Sequence, residues 1–350
     1  MHPAETPSAV GTGWHKAGRW VGIAAAAGAL AVTAAGVIVA AWMMPVSSGP
    51  LVASVIIHVP QESTASQVGR ELEERNLVRS GWLFALMARV QGLDQRLQAG
   101  YYRLRADMAP QEMIRILSRG AVAVEEVTIP EGSTIEGIAW RLERAGLANA
   151  RRFIELASDD RWLFGESRPI DKPPGSLEGY LFPDTYRFAV GQDEEALIRK
   201  MVARFAEKVL PLYQELGAGG KLSLHQVVVL ASIVEKEAMR DSERALIASV
   251  FHNRLRLGRP LQADPTLMYI LHPPPKKLYR QHLAIDSPYN TYRYPGLPPT
   301  AIASPGLASI RAVLRPASTP YLYFVARGDG THVFSRTFRD HVDARRRLAY

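Results

Sequence analysis

The sequence predicts an α+β protein with one transmembrane helix near its N-terminus, and three observations carry that reading. Residues 20–44 contain no charged side chain. A strand–turn–helix pattern begins at Val59 and again, seventy residues later, at Ile129. An apolar helix over residues 224–238 ends in Ala-Ser-Ile-Val-Glu-Lys-Glu-Ala and leads toward a long stretch rich in Pro, Tyr, Asn and Thr. These features divide the chain into a tail (1–19), a membrane helix (20–44), a membrane-proximal subdomain (45–125) and a larger mixed α+β domain (126–350). With 47% hydrophobic residues overall, the part beyond the membrane segment has enough apolar side chains for proper cores.

The 25 residues from Trp20 to Met44 are mostly Ala, Val, Gly and Ile. As a helix they rise about 37 Å at about 1.5 Å per residue, which spans a bilayer core with some tilt. Trp20 and Trp42 stand near the two ends, where amphipathic rings favour the headgroup region. Lys16 and Arg19 precede the run, and no Lys or Arg follows until Arg70. That asymmetry places the N-terminus in the cytoplasm and the rest outside. The rival reading is a cleaved signal peptide, whose apolar region is shorter, about 7–15 residues. Ser47, Ser48 and Gly49 are the small residues such a cleavage uses. The chain has no cysteine, which excludes disulfides, thiol nucleophiles and thiolate metal sites.

In the first copy of the repeat, Val59-Pro60-Gln61-Glu62-Ser63-Thr64 precedes Val68, Leu72 and Leu77. In the second, Ile129-Pro130-Glu131-Gly132-Ser133-Thr134 precedes Ile138, Leu142 and Leu147. Each reads as a short strand, a turn, a Ser/Thr cap and an amphipathic helix. A β-rich segment follows each copy, Ala99 to Leu104 and Glu178 to Tyr186, and a short helix is predicted over 110–117. Such strand–helix–helix–strand units suit small carbohydrate-binding modules of the LysM kind, and they suit plain packing units equally well. Pro and Gly at 173–175 mark a loop, and a long helix over 193–216 is broken by the glycines at 217–220. The apolar helix comes next, then another over 243–257 that Gly258 ends. Residues 260–305 show little periodicity, as functional loops do. Tyr321–Ala326, Gly328-Asp329-Gly330 and Thr331–Ser335 predict a closing hairpin.

Charge is uneven. Residues 251–350 hold fifteen Lys or Arg against five Asp or Glu, within a chain of net charge +8. Outside a membrane this excess suits an anionic polymer or lipid surface rather than nucleic acid. A solvated basic face without a partner accounts for it as well.

No G-x-S-x-G elbow, Walker loop, dinucleotide fingerprint or H-E-x-x-H motif occurs, and the nine histidines lack helical ligand spacing. No metal or cofactor is expected. Ser232 and Lys236 have the spacing of a Ser-Lys dyad, which also arises by chance. A pyridoxal-phosphate reading through Lys236 lacks a phosphate-cradling loop. Acid/base chemistry remains, because a carboxyl group against an apolar wall resists ionisation. On a helical wheel Val227, Leu230, Ala231, Val234 and Ala238 share one face. Glu235 and Glu237 flank it, each about 80° from Val227, so geometry does not choose between them. A solvated helix end is the ordinary fate of a Glu-Lys-Glu run. Glu178 and Asp184 are alternative carboxylates, with Pro183-Asp184 reading as a turn.

The order of Leu-Glu-Gly-Tyr-Leu-Phe-Pro-Asp-Thr-Tyr (177–186), Ala-Ser-Ile-Val-Glu-Lys-Glu-Ala (231–238) and Ser-Val-Phe-His-Asn-Arg-Leu (249–255) resembles the MltG, or YceG-like, family. Leu-Gln-Ala-Asp-Pro-Thr (261–266), Ser-Pro-Tyr-Asn-Thr-Tyr (287–292), Gly-Leu-Pro-Pro (296–299) and Thr-Pro-Tyr-Leu-Tyr-Phe-Val (319–325) continue the match. The resemblance covers the anchor and nearly all of the rest. It implies an endolytic murein transglycosylase of the bacterial inner membrane, with a periplasmic catalytic domain and a LysM-like subdomain. It also implies that the catalytic acid/base is Glu237. Segment 239–242 varies in that family and does not touch the implied site. Such enzymes cleave between N-acetylmuramic acid and N-acetylglucosamine without water, the sugar's own 6-hydroxyl closing a 1,6-anhydro ring. One carboxyl group then suffices, where ordinary glycosidases use two.

Gln262, Asp264, Asn290 and Tyr292 are the candidate sugar-binding residues, able to bond hydroxyl and acetamido groups. Tyr289 or Tyr294 is placed to stack on a ring, and Asn253 to orient Glu237. Loop-stabilising turns and core tyrosines explain each of these residues as well. The expected partners are peptidoglycan strands, the inner membrane and cell-wall synthases. The competing reading is a non-catalytic peptidoglycan-binding scaffold that recruits those synthases.

Overall fold

The computed structural model describes residues 28–34, 36, 37, 40–47, 52–164, 170, 172–217 and 220–348. The expected tail at 1–19 and much of the expected membrane segment at 20–44 lie outside them; residues 28–34, 36, 37 and 40–42 are helical. Among the described residues no helix is long and apolar enough to cross a membrane. The chain forms two compact units, Met1–Ala123 and Val124–Tyr350, and the described strands form three two-stranded antiparallel sheets. The class is mixed α+β.

In the first unit β1 (Ser54–Val59) and β2 (Gly100–Arg105) pair with Ser54 opposite Arg105 and Val59 opposite Gly100. Between them lie α1 (Ala65–Glu74) and α2 (Gly81–Val90); α3 (Pro110–Ser118) follows. Thr64 caps α1 through a reciprocal pair of bonds with Gln67, satisfying donors that the first turn leaves open. Strand alternation turns Ile57 and Val59 inward with Tyr102 and Leu104. They meet Val68 and Leu72 of α1, Phe84 and Ala88 of α2, and Met113, Ile114 and Leu117 of α3 in one core. The helices α1 and α2 cross backbone to backbone: a Cβ on Gly69 would stand 2.3 Å from the Gly81 carbonyl oxygen. The chain entering the unit is tied to it. Met43 packs against the core, Ser47 N–H donates to Ala106 O at 3.0 Å, and the Arg79 guanidinium donates to Pro45 O at 3.3 Å.

The second unit begins with β3 (Val124–Thr128), which pairs with β4 (Thr185–Ala189). Between these strands run α4 (Ile135–Arg144), α5 (Ala150–Ala157) and the single turn α6 (Arg161–Phe164). Thr134 caps α4 as Thr64 caps α1, so the second sequence copy builds the same start. The long α7 (Glu194–Gly217) follows, then α8 (Leu224–Glu237), α9 (Arg244–Arg256), α10 (Asp264–Ile270), α11 (Arg280–Leu283) and α12 (Leu307–Leu314). The hairpin β5 (Tyr323–Ala326) and β6 (His332–Ser335) and the helix α13 (Phe338–Arg347) complete the order.

Helix α8 is the centre of this unit. The wheel predicts one apolar face, but every residue from Val227 to Val234 is at most 1% exposed. The difference arises because α9, α10 and α12 all pack on α8, so it is buried on every side. Ser232 remains satisfied there: its hydroxyl donates to Val229 O and accepts from the Ile302 N–H. That bonding, with Lys236 pointing out to Gly132 O, leaves no Ser-Lys dyad. The stretch after α9 is less irregular than its sequence suggests, since Pro265 in the first turn nucleates α10.

Candidate active site

Helix α8 ends where its chemistry begins. Ala238 leaves the helical conformation with ψ near 121°, so Glu237 closes the last turn. Its carboxyl group faces a cleft of about 410 Å3 whose lining includes Arg254, Gln262, Asp264, Tyr292, Tyr323 and His341. Burial, reinforced by the negative charge of Asp264 and opposed by Arg254, pushes Glu237 up from 4.5 to about 8. At neutral pH this residue therefore holds its proton and can donate it.

The surrounding groups are fixed by contacts far apart in sequence. Arg254 is only 8% exposed and comes from the last turn of α9. Its guanidinium donates to Leu322 O and Leu261 O, both at 2.7 Å, and to Gln262 Oε1 at 3.2 Å. It also lies 5.0 Å from the Tyr323 ring centre, over its face. Gln262 takes a left-handed backbone with φ of 52°, a conformation that costs a non-glycine residue about 1 kcal/mol or more. Its N–H donates to Thr291 O at 2.9 Å, which holds that conformation. The Tyr292 hydroxyl donates to Asp264 Oδ1. Burial, the bond to Asp264 and the charges of Asp264 and Glu237 all keep this phenol protonated.

The cleft thus gathers Glu237, Gln262, Asp264 and Tyr292, but it does not gather Asn290. Asn290 is fully buried, and its amide donates to Leu283 O and Ile285 O while its oxygen accepts from the Tyr292 N–H. It braces the loop that presents Tyr292. Tyr289 bonds Thr300, and Tyr294 bonds Asp286, both away from this lining. Asn253 does not orient Glu237; its amide donates to Thr319 O and Tyr321 O and anchors the chain before β5.

Glu235 points into a different environment from Glu237. One oxygen accepts from Arg244 at 3.0 Å and the other from the Gly306 N–H at 3.0 Å. The two carboxylates that the wheel leaves equivalent are therefore a tethered ion pair and a cleft acid. Glu178 is spent on structure as well. It accepts from the Ile135 N–H, at the start of α4, and from the Tyr269 hydroxyl, each at 3.2 Å. Burial pushes Glu178 up to about 7 at the base of a separate cavity of about 710 Å3. Asp184 pairs with Arg204 at 2.6 Å.

Sequence reasoning misses two features of the cleft. Arg254 lies within the motif at 249–255, yet nothing local marks it as buried, because Leu322 and Tyr323 supply its partners. The second is the outer wall, built by β5 and α13 with Tyr323, Phe338, His341 and Arg345. His341 stacks on Tyr323 at 5.4 Å between ring centres. Burial, then Arg345 and Arg254, keep its imidazole neutral.

Comparison with known proteins bears on this constellation. The model of the YceG-like family matches residues 57–347. A relative from Bacillus subtilis (strain 168), named endolytic murein transglycosylase, is 32% identical over 305 residues, covering 83% of this chain and 84% of its own. A relative of the same name from Streptococcus pneumoniae serotype 2 (strain D39) is 30% identical over 316 residues. That match covers 82% of this chain and 57% of the pneumococcal protein. The 2.6 Å crystal structure of a yceG-like protein from Listeria monocytogenes aligns with a TM-score of 0.57 at 30% identity. It covers 84% of this chain and 100% of the Listeria chain.

Proposed function

The chain belongs to the YceG-like family, and on that premise we propose that it is an endolytic murein transglycosylase that cuts peptidoglycan strands internally. The observation that carries the reading is one carboxyl group, Glu237, held protonated at neutral pH on the wall of an open cleft. In this reading the glycosidic oxygen between N-acetylmuramic acid and N-acetylglucosamine takes the Glu237 proton as its bond to C1 breaks. The 6-hydroxyl of the muramic sugar attacks C1, and its proton passes to the Glu237 carboxylate. The product ends in a 1,6-anhydro ring and the acid is regenerated. An internal nucleophile avoids the entropic cost of positioning water. Asp264 lines the same cleft and brings negative charge to a site where the anomeric carbon becomes positive.

Gln262, Asp264 and Tyr292 bond the hydroxyl and acetamido groups of the sugar, while Asn290 acts indirectly by fixing the Tyr292 loop. The basic excess of residues 251–350 suits the carboxylates of peptidoglycan stems. Residues 20–44 anchor the chain in the bacterial inner membrane with the N-terminus inside. Residues 45–125 form a LysM-like glycan-contacting subdomain, and cell-wall synthases are the protein partners whose nascent strands this enzyme terminates.

The deciding experiment incubates the purified protein with uncrosslinked glycan strands and analyses the fragments by mass spectrometry. Internal fragments with 1,6-anhydro ends are expected, and Glu237→Gln should lose them by about 10²–10⁴-fold while still binding glycan. Reducing ends in place of anhydro ends would make the protein a hydrolase. Unchanged cellular function of Glu237→Gln would instead favour the scaffold reading.

A further inference from the structure

One face of α2 is apolar and turned away from the core of its unit. Trp82, Leu86 and Val90 recur at every fourth position and are 73%, 38% and 80% exposed. With Arg89 they occupy an arc of about 100° on the helix. The core takes the other side of α2 through Leu83, Phe84, Met87 and Ala88. The exposed strip runs about 12 Å along the helix at about 1.5 Å per residue. Helix α2 contains no acidic residue and one basic residue, Arg89.

The chain entering this unit indicates what covers the strip. The run from Trp20 to Met44 carries no charge, and no free linker separates it from the unit. Met43 packs on the core, Ser47 is bonded to Ala106, and Arg79 is bonded to Pro45. Arg79 stands three residues before Trp82, so the start of α2 lies beside the point where the uncharged run enters. A unit tied this closely to a membrane-spanning segment rests at the headgroup layer. There an indole ring is favoured, and an amphipathic helix lies in the interface plane with its apolar side inserted.

We propose that α2 is a second membrane contact, in which Trp82, Leu86 and Val90 enter the outer leaflet of the bilayer that holds residues 20–44. Arg79 and Arg89 meet its anionic headgroups. The proposal rests on reading residues 20–44 as a membrane anchor. It adds a second point of attachment, which fixes the tilt of the first unit against the membrane where a lone helix would let it swivel.

The chain has no cysteine, so single-cysteine labelling gives a direct test. Leu86→Cys, Val90→Cys, Val32→Cys and the control Glu112→Cys, each in the full chain, carry an environment-sensitive fluorophore. They are reconstituted in vesicles of phosphatidylethanolamine and phosphatidylglycerol. Nitroxide lipids labelled near the headgroup should remove most of the fluorescence at positions 86 and 90 and little at 112. Nitroxides deep in the acyl chains should quench position 32. Quenching at 32 without quenching at 86 and 90 overturns the proposal and leaves the anchor reading standing. No quenching at 32, 86 or 90 overturns both. A response at 86 to protein density alone, without quenching by lipid, means that a second copy covers the face, and also overturns the proposal.

Discussion

Glu237 owes its chemistry to the position at which α8 stops. One residue earlier the carboxyl would take the place of Lys236, which is exposed and reaches Gly132 O; two residues earlier it is Glu235, tied to Arg244 and Gly306. Burial sets the acid strength, with Asp264 reinforcing it and Arg254 opposing it, which makes the pH profile predictable. Cleavage should fall as pH rises through about 8, because Glu237, the proposed general acid, is then ionised. Asp264→Asn removes a like charge and should move that limb to lower pH, read as kcat/KM against pH alongside the wild type. If the limb stays in place, Asp264 does not act on Glu237 through its charge. The candidate acid was half legible in the sequence: an apolar wall and two glutamates were visible, but their separation lies in Arg244 and Gly306, which only the fold brings near. Arg254 was illegible for the same reason. Its buried charge is satisfied by carbonyls from residues 261 and 322.

At the level of elements, local signals set most boundaries. Ser223 caps α8 with Gln226 in a reciprocal box, Thr64 and Thr134 cap the repeated helices, and Gly258 takes φ of 62° just past α9. The burial of α8 on all sides was not legible, since a wheel sees one helix and not the three that pack on it. Where such packing is closest it constrains single residues. Gly179 has φ of 87°, and a Cβ there would stand 2.5 Å from Ala301 Cβ and 2.8 Å from Val228 Cγ1. Gly179→Ala should therefore cost about 1–3 kcal/mol of stability, seen as a lower thermal midpoint. A midpoint equal to wild type would mean that the loop before β4 yields without cost.

Across the whole molecule, the buried Glu178 and the partly buried Glu237 link stability to pH. Glu178 and Glu237 have folded values of about 7 and about 8 against 4.5 when unfolded, so the folded chain holds protons that the unfolded chain releases. Their contribution is complete below pH 4.5 and is lost as pH rises through about 7 and then about 8. Thermal midpoints should decline across that window, and Glu178→Gln and Glu237→Gln should each flatten the decline. A slope unchanged in both variants would remove these residues as its source.

The cleft is lined by residues from Glu237 to Arg345, so its outer wall lies far along the chain from the acid it faces. Until β5 and α13 dock on the rest of the second unit, Glu237 and Arg254 lack part of the surroundings that withdraw them from water. An incompletely folded chain therefore carries an ordinary glutamate at position 237, already ionised at neutral pH, and the proton donor exists only in the finished fold.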